Sequence, residues 1–442
     1  MNQPEPATQR LDSKDTDVGS VFVSNYPPYS AWDKDRPQLA ERVLAEAPRS
    51  GVDFGIYLHI PFCRKRCKFC YFRVFTDKNA GEIGSYLDVL AAEVEAFSVM
   101  PAFAGRRPKF VYFGGGTPSY IGVEQLRALV DRLQAAIPWS GAEEVTFECE
   151  PGTLTQSKLE AIREVGVTRL SLGIENFNDD ILRENGRAHV SKEIDRCLPW
   201  IAELNFHQLN IDLIAGMVGE TWDTWKETVA KTLDLEPDSV TVYQMELPFN
   251  TRYSKNIIDG SFDRPLADWH TKRVWHDYAF QELAKAGYEI SSAYTMVKSP
   301  DTRFVYRDSV WHGCDLLGTG VASFSHIRDV HFQNVDGWGE YLARLHAGEL
   351  PIGRAYQTTD REQLVREFVL QLKLGKVHVE YFQEKFDVAI PEIFSQPLQQ
   401  LESQGFLAVT DGTVRLTRKG LLRVDSLLPE FYDPPHRGAR YS

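Results

Sequence analysis

At 442 residues the chain is too long for one small domain, and roughly two to three domains are expected. Hydrophobic residues make up 43% and aromatic residues 12%, enough for a large core, while the net charge of −13 argues against a nucleic-acid partner, which favours a basic stripe. No run of about 18 apolar residues occurs, so no membrane span is expected. The polar stretch Met1 to Asp17 lacks a signal-peptide core, and the few scattered Cys suit a reducing cytosol, so a cytoplasmic place is expected.

Residues 1–18 read as a tail. The next stretch, Val21-Phe22-Val23-Ser24-Asn25-Tyr26-Pro27-Pro28-Tyr29-Ser30, is apolar and aromatic with two prolines. It reads equally as an extended segment lying on a barrel surface and as an arm gating a substrate site. From Gly51 the pattern alternates. Strands are expected at Gly55–Ile60, Lys109–Phe113, Glu144–Glu148, Thr168–Gly173, Gln208–Ile214 and Ser239–Leu247, with helices such as Ser85–Phe97, Val123–Ala136, Gln156–Val165 and Thr221–Leu233 between them. Such βα units imply an α/β fold with a parallel sheet. Six of them predict a partial TIM-like (β/α)6 barrel, whose active residues sit at the C-terminal ends of the strands.

The first strand runs into Cys63-Arg64-Lys65-Arg66-Cys67-Lys68-Phe69-Cys70, three of the six Cys in a C-x3-C-x2-C frame. Three thiolates on one short loop can hold three irons of a cubane cluster and leave the fourth open. A structural zinc site usually takes four ligands, and only His59, inside the predicted strand, stands nearby. A disulfide framework fits badly with three crowded Cys, and inert free thiols are the remaining reading.

The later strands end in further motifs. Phe113-Gly114-Gly115-Gly116-Thr117-Pro118 follows the second strand; it is a tight turn or a close backbone approach to a ligand, and no Gly-Lys-Ser/Thr makes it a P-loop. Glu148-Cys149-Glu150-Pro151-Gly152 follows the third, with Glu148 and Glu150 on one face and Cys149 on the other. Ser171-Leu172-Gly173-Ile174-Glu175-Asn176-Phe177 closes the fourth and is followed by Asn185-Gly186-Arg187-Ala188-His189. Asn210-Ile211-Asp212-Leu213-Ile214-Ala215-Gly216-Met217 closes the fifth, and Tyr243-Gln244-Met245-Glu246-Leu247-Pro248 the sixth. Each charged residue here also has a plainer reading, as a buried acid met by backbone amides or a surface ion pair.

After about residue 300 the alternation stops. Phe304 to Phe324 is aromatic and Gly-rich, ending in Gly318-Thr319-Gly320-Val321-Ala322-Ser323-Phe324. From Arg361 a compact helical piece ends in a hairpin around Thr410-Asp411-Gly412, the outline of a winged helix. The expected division is tail and arm 1–50, barrel 51–300, extension 301–360 and C-terminal domain 361–442.

Six motifs in this order, with Tyr57-Leu58-His59-Ile60-Pro61-Phe62-Cys63 and Lys68-Phe69-Cys70 foremost, resemble the radical S-adenosylmethionine (SAM) superfamily. More narrowly they resemble its HemN-like branch, over nearly the whole chain from Asn25. The resemblance implies a [4Fe–4S] cluster on Cys63, Cys67 and Cys70, and a SAM molecule chelating the open iron and cleaved to a 5′-deoxyadenosyl radical. It implies SAM contacts from Tyr57, Phe69, Gly114, Gly115, Gly116, Thr117, Glu148, Glu175, Arg187 and Asp212. Glu175 stands where the family usually has Gln. Ile214, Met245 and Phe324 match positions near a second SAM, so two molecules are implied. The basic Arg64-Lys65-Arg66 patch implies docking of an acidic electron donor such as flavodoxin or ferredoxin. The substrate implied is a small molecule, a tetrapyrrole or another apolar unsaturated compound.

The coproporphyrinogen oxidases of this branch carry one more Cys two positions after the third, where this chain has Phe72. On that departure, methylation or cyclopropanation of an sp2 carbon with a second SAM is placed first. Coproporphyrinogen III dehydrogenation, in porphyrin biosynthesis, and haem chaperoning are the alternatives.

Overall fold

The computed structural model describes residues 18–439. Strands β1 Phe54–Ile60, β2 Phe110–Gly115, β3 Glu144–Cys149, β4 Arg169–Glu175, β5 Gln208–Ala215 and β6 Ser239–Gln244 follow one another in sequence and pair in parallel in that order. Helices Ala80–Ser98, Val123–Ala136, Gln156–Glu164 and Trp222–Asp234 are among those that connect them. The predicted elements therefore lie within a few residues of the observed ones, because alternation in the strands and apolar spacing in the helices both report burial directly.

The sheet does not stop at six strands. It continues through β7 Glu289–Ile290, β8 Thr295–Val297, β9 Asp315–Thr319, β10 Phe324–Ile327, β11 Val330–Asn334 and β12 Ile352–Gln357. Spatially the order is β12-β11-β10-β9-β1-β2-β3-β4-β5-β6-β8-β7. Strand β9 pairs parallel with β1 and is a seventh parallel strand, whereas β10 to β12 extend one edge and β8 and β7 the other, all antiparallel. The segment expected as an extension after residue 300 is thus woven into the sheet. Its strand was hidden because β9 is short and followed closely by glycines.

The motif Gly318 to Phe324 has a structural task. Gly320 takes φ +99° and donates its amide to the Glu93 carboxylate at 2.8 Å. Glu93 is fully buried and also accepts from Asn334 Nδ2 at 2.6 Å and Tyr341 Oη at 2.5 Å. This fully paired acid ties the first barrel helix to the turn between β9 and β10, as a buried carboxylate must be paired to be tolerated. A Cβ on Gly318 would lie 2.0 Å from the Phe324 carbonyl oxygen, so the close approach of β9 and β10 requires glycine there. Phe324 itself packs on Tyr29 and Trp32, with ring centroids 6.1 and 5.5 Å away.

Residues 361–439 build a second layer. Helix Asp360–Leu372 starts with a capping box between Thr359 and Glu362. A small sheet of β13 Lys376–His378, β15 Thr413–Leu416 and β14 Leu407–Thr410, in that order, packs with helices Val379–Phe386 and Ser395–Ser403. The β14–β15 turn places Asp411 at φ +48° and Gly412 at φ +70°, the left-handed pair that a two-residue hairpin loop needs.

The N-terminal arm joins the two layers. Gly19 bridges to Leu247 and Asp33 to Ala355 in antiparallel fashion. Between these points Lys373 donates to the Val23 carbonyl at 2.6 Å, Asp425 accepts the Val23 amide at 2.9 Å, and Arg366 donates to Asn25 Oδ1 at 2.9 Å. All three partners belong to the C-terminal layer.

Candidate functional site

A cavity of about 450 Å³ opens at the C-terminal ends of the parallel strands. Its floor comes from the strands, one wall from the Cys loop, and another from the arm residues Val21 and Phe22 together with Leu421 to Ser426.

The Cys loop is fastened on three sides. Cys63 N donates to Phe75 O at 3.1 Å and Phe75 N to Pro61 O at 2.7 Å, closing the loop base. The Gly116 and Thr117 amides reach Ile60 O and Phe62 O at 2.9 and 2.8 Å, which binds the glycine turn to the loop entry. Lys68 N donates to Asn185 O at 3.0 Å, linking the loop to the segment that carries Arg187. Glycine is required in this turn: a Cβ on Gly115 would stand 2.6 Å from the His59 ring, and one on Gly116 2.8 Å from the Pro61 carbonyl carbon.

The three thiols line the cavity and are partly exposed. Cys63 Sγ accepts from Thr117 Oγ1 at 3.4 Å and Cys67 Sγ from Arg187 Nη1 at 3.5 Å. Burial pushes the Cys63 thiol up to about 12 and Cys70 up to about 11, so the thiolates that a metal centre binds are not favoured by the protein alone. Among the described residues no group of three or more His, Cys, Asp or Glu side chains is drawn together tightly enough to hold a single ion. Cys149 is buried among core residues and also borders the cavity.

Behind the thiols, inward-facing positions of β3, β4 and β5 bring together Glu148, Glu175 and Asp212 with Arg169 and Arg187. Glu148 accepts from Tyr112 Oη at 2.7 Å and from the Gly115 amide at 3.1 Å. Asp212 accepts from Ser171 Oγ at 2.9 Å and Asn210 Nδ2 at 3.0 Å. Glu175 sits at φ +65° beside a bulge between β4 and β5, an unusual backbone for Glu that turns its carboxylate toward Arg187 at 3.6 Å. Arg187 also donates to Gly173 O at 2.7 Å, and its buried Nε has no hydrogen-bond partner among the described residues. Burial raises the carboxyls of Glu148 and Glu175 to about 7 and moves Asp212 upward as well. Arg187 opposes the rise at Glu175, and Arg169 opposes it at Glu148 and Asp212. Glu150 lies just past β3 and holds His189 Nδ1 at 2.6 Å, which steadies the turn after Arg187.

Most of the expected contact residues therefore meet in one chamber: Cys63, Cys67, Cys70, Phe69, Gly115, Gly116, Thr117, Glu148, Glu175, Arg187, Asp212, Ile214 and Met245 all line it. Three do not. Tyr57 lies lower in the barrel, stacked on Tyr112 at 5.8 Å and beside Tyr306 at 6.4 Å. Gly114 makes room for those rings, since its Cβ would come within 2.8 Å of Tyr112. Phe324 is at the arm, as described above.

Other lining residues were not foreseen: Arg169, Tyr243, Trp269, Arg273, Tyr294 and the stretch Leu421 to Ser426. Arg169 is two residues before Ser171 on the inward face, so period two alone would have found it. Its guanidinium lies 4.1 Å from the Phe304 ring, and its buried Nε and Nη1 have no hydrogen-bond partner among the described residues. Nothing local in the sequence marks residues 421–426, because they reach the site only by docking of the C-terminal layer.

Residues 57–231 match the Radical SAM superfamily and residues 358–423 the HemN C-terminal domain. The oxygen-independent coproporphyrinogen III oxidase of Synechocystis sp. is 25% identical over 93% of this chain and 92% of its own length. The heme chaperone HemW of Bacillus subtilis is 26% identical over 83% of this chain and 96% of its own. The structure of HemN, coproporphyrinogen III oxidase of Escherichia coli, superposes with a TM-score of 0.81 at 24% identity, covering 93% of this chain and 96% of that one.

The donor set fits the cofactors that this assignment brings, a [4Fe–4S] cluster and SAM. Three thiols share the cavity with an orphaned guanidinium Nε, glycine amides and paired acids, a bed for a molecule carrying an ammonium, a carboxylate and ribose hydroxyls. The chain belongs to the radical SAM superfamily, and its HemN C-terminal domain places it in the HemN-like branch.

Proposed function

We propose that this radical SAM enzyme acts on a propionate-bearing tetrapyrrole by oxidative decarboxylation, in the manner named for its coproporphyrinogen III oxidase relatives. The observation that carries the reading is one continuous chamber at the C-terminal ends of the strands. Its strand end holds the Cys loop with Glu148, Arg187 and Asp212, and the same chamber continues to an aromatic end formed by Phe22, Tyr243, Trp269 and Tyr294. Cluster and SAM together supply a 5′-deoxyadenosyl radical. Cys63, Cys67 and Cys70 hold the cluster; Arg187, Glu175, Asp212 and the glycine turn orient SAM; the arm and the 421–426 segment keep water from the reacting carbon. The substrate propionate would give a hydrogen atom to the deoxyadenosyl radical, release CO2 and pass one electron to an external one-electron acceptor, and so become a vinyl group.

Phe72 supports a second reading. It stands 48% exposed, stacked on Tyr71 at 4.5 Å, at the position where the oxidases carry a further Cys. Ile214 and Met245, matched to positions near a second SAM, also line the chamber, which suits methyl transfer to an sp2 carbon. Under either reading the exposed Arg64, Lys65 and Arg66 at the chamber rim suit an acidic one-electron donor protein.

The products separate the two. With coproporphyrinogen III, methyl-deuterated SAM and reductant under anaerobic conditions, decarboxylation gives vinyl product with 5′-deoxyadenosine and methionine. Methyl transfer instead gives S-adenosylhomocysteine with deuterium in 5′-deoxyadenosine. Unaltered porphyrinogen, with SAM cleavage indifferent to its presence, defeats the decarboxylation reading.

A further inference from the structure

The floor of the chamber carries a cation that the SAM bed leaves unused. Arg169 opens β4, paired in register with Thr146 of β3 and Gln208 of β5. It shares the inward face with Ser171, which stands about 7 Å further up the strand at two residues' rise. Its side chain lines the chamber, yet the residue is only 2% exposed. The guanidinium lies 4.1 Å from the centroid of the Phe304 ring, which also borders the chamber. A stacked guanidinium commits its face to the ring and keeps its donors along the edge.

Those donors are not spent on the protein. Nε and Nη1 are buried and have no hydrogen-bond partner among the described residues. The carboxyls of Glu144, Glu148 and Asp212 feel the charge of Arg169, but each takes its hydrogen bonds elsewhere. Glu144 accepts from the Val305 and Tyr306 amides at 2.9 and 3.2 Å and from Thr146 Oγ1 at 3.0 Å. Glu148 is held by Tyr112 and Gly115, and Asp212 by Ser171 and Asn210. Burial moves all three carboxyls upward, towards the neutral form, so they do not consume the whole charge of the guanidinium. A buried donor without a partner is costly, and native proteins keep few of them. Two on one guanidinium that lines a cavity point to a ligand that completes them.

We propose that Arg169 is a carboxylate-recognition residue at the chamber floor, and that its guanidinium edge takes the acid end of a molecule reaching down past Glu148 and Asp212. A guanidinium matches a carboxylate in charge and in paired-donor geometry. Two ligands carry that group to this chamber: the proposed tetrapyrrole acid, through a propionate arm, and SAM, through its amino-acid end. In the first case the assignment rests on the proposed substrate; in the second it does not. Arg187 stands at the Cys loop, beside Cys67 and Glu175, so the two arginines serve different depths of the chamber.

Two ligand pairs that differ at the carboxylate separate the sources: coproporphyrin III against its tetramethyl ester, and SAM against decarboxylated SAM. Binding to the cluster-reconstituted full chain is measured anaerobically for the wild type, Arg169→Met and Arg169→Lys, by fluorescence for the porphyrins and by equilibrium dialysis for the SAM pair. Arg169→Met should bind the acid member of a pair roughly tenfold to a hundredfold more weakly, and Arg169→Lys less so but still selectively, while the carboxylate-free member stays within about threefold of wild type. A selective loss in the porphyrin pair assigns the substrate acid, and one in the SAM pair assigns the amino-acid end. Melting temperature and cluster absorbance report folding. Lysine keeps the charge that faces Glu148 and Asp212 but not the paired-donor fork, so Arg169→Lys carries the test if Arg169→Met does not fold. Wild-type affinities in the folded variants, or losses shared equally by both members of a pair with no selective loss in the other, overturn the assignment. A protein with a selective loss in the SAM pair that leaves coproporphyrinogen III unaltered keeps the assignment and loses the decarboxylation reading. One that decarboxylates coproporphyrinogen III with no selective loss in either pair does the reverse.

Discussion

Lys373→Met should loosen the N-terminal arm and lower the unfolding free energy by about 3 kcal/mol, the lower end for removing one partner of a buried ion pair. Lys373 is fully buried, with its Nζ 2.9 Å from Asp425 and 3.9 Å from the Phe22 ring centroid. Burial drives its ammonium below the usual lysine range and Asp425 pulls it back. Once the lysine is gone, Asp425 keeps the Val23 amide and Tyr294 as donors but loses the lysine's charge 2.9 Å away. Adding Asp425→Asn should recover part of the loss, because the uncompensated charge is removed with it. Urea unfolding measures the stability, and hydrogen exchange at the Val23 amide reports on the arm. A Lys373→Met protein with wild-type stability and a still-protected Val23 amide would mean that the clamp contributes nothing.

Arg187→Met should weaken SAM binding by roughly a hundredfold while cluster loading persists, since a guanidinium in charge-assisted contact is worth about 1.5–3 kcal/mol and more where it neutralises a buried acid. Lysine should not substitute, because it cannot reach Gly173 O, Cys67 Sγ and Glu175 together from one planar fork. The variant should also be pH-sensitive. The Glu175 carboxyl is raised from 4.5 to about 7 by burial, with Arg187 opposing the rise. The folded protein therefore binds more protons than the unfolded chain between those values. The favourable contribution of this group is full below about 4.5 and is lost as pH rises through 7. Without Arg187 the group rises further, so the stability deficit of Arg187→Met should be larger at pH 8 than at pH 6, and Glu175→Gln in the same chain should flatten that difference. Thermal melts of the four proteins at the two pH values measure it; a deficit independent of pH in the presence of Glu175 would contradict the pairing.

Much of this site was readable before the fold, for a physical reason. A strand puts every second residue on one face, so Glu148 and Asp212 stood out as acids at strand ends. The Cys frame stood out within its own eight residues, although zinc and inert thiols stayed open until the neighbouring motifs were read with it. What was not readable depended on distant chain segments. Arg273 sits on a helix with buried residues on several sides, where the hydrophobic pattern says nothing of a cavity. Arg423 and Asp425 belong to the C-terminal layer and reach the chamber only through docking. Strand β9 is five residues long, contains Gly318 and is followed by Gly320, which let β10 and Glu93 approach, so it resembled a loop. Phe324, expected near a second SAM, does not line the chamber for the same reason. The turn that Gly318 and Gly320 permit carries its ring to Tyr29 and Trp32 instead of into the chamber. The arm, open to two readings, lies across the sheet and also walls the cavity with Val21 and Phe22.

The central claim is that Cys63, Cys67 and Cys70 carry a cluster whose open iron faces the SAM bed of Glu148, Arg187 and Asp212. Electron paramagnetic resonance of the anaerobically reconstituted, reduced protein, with and without SAM, tests it most directly. A [4Fe–4S] signal that changes on adding SAM, and that is absent from Cys67→Ala, is the predicted result. A signal that survives in Cys67→Ala, or one in the wild type that SAM leaves unchanged, would contradict it.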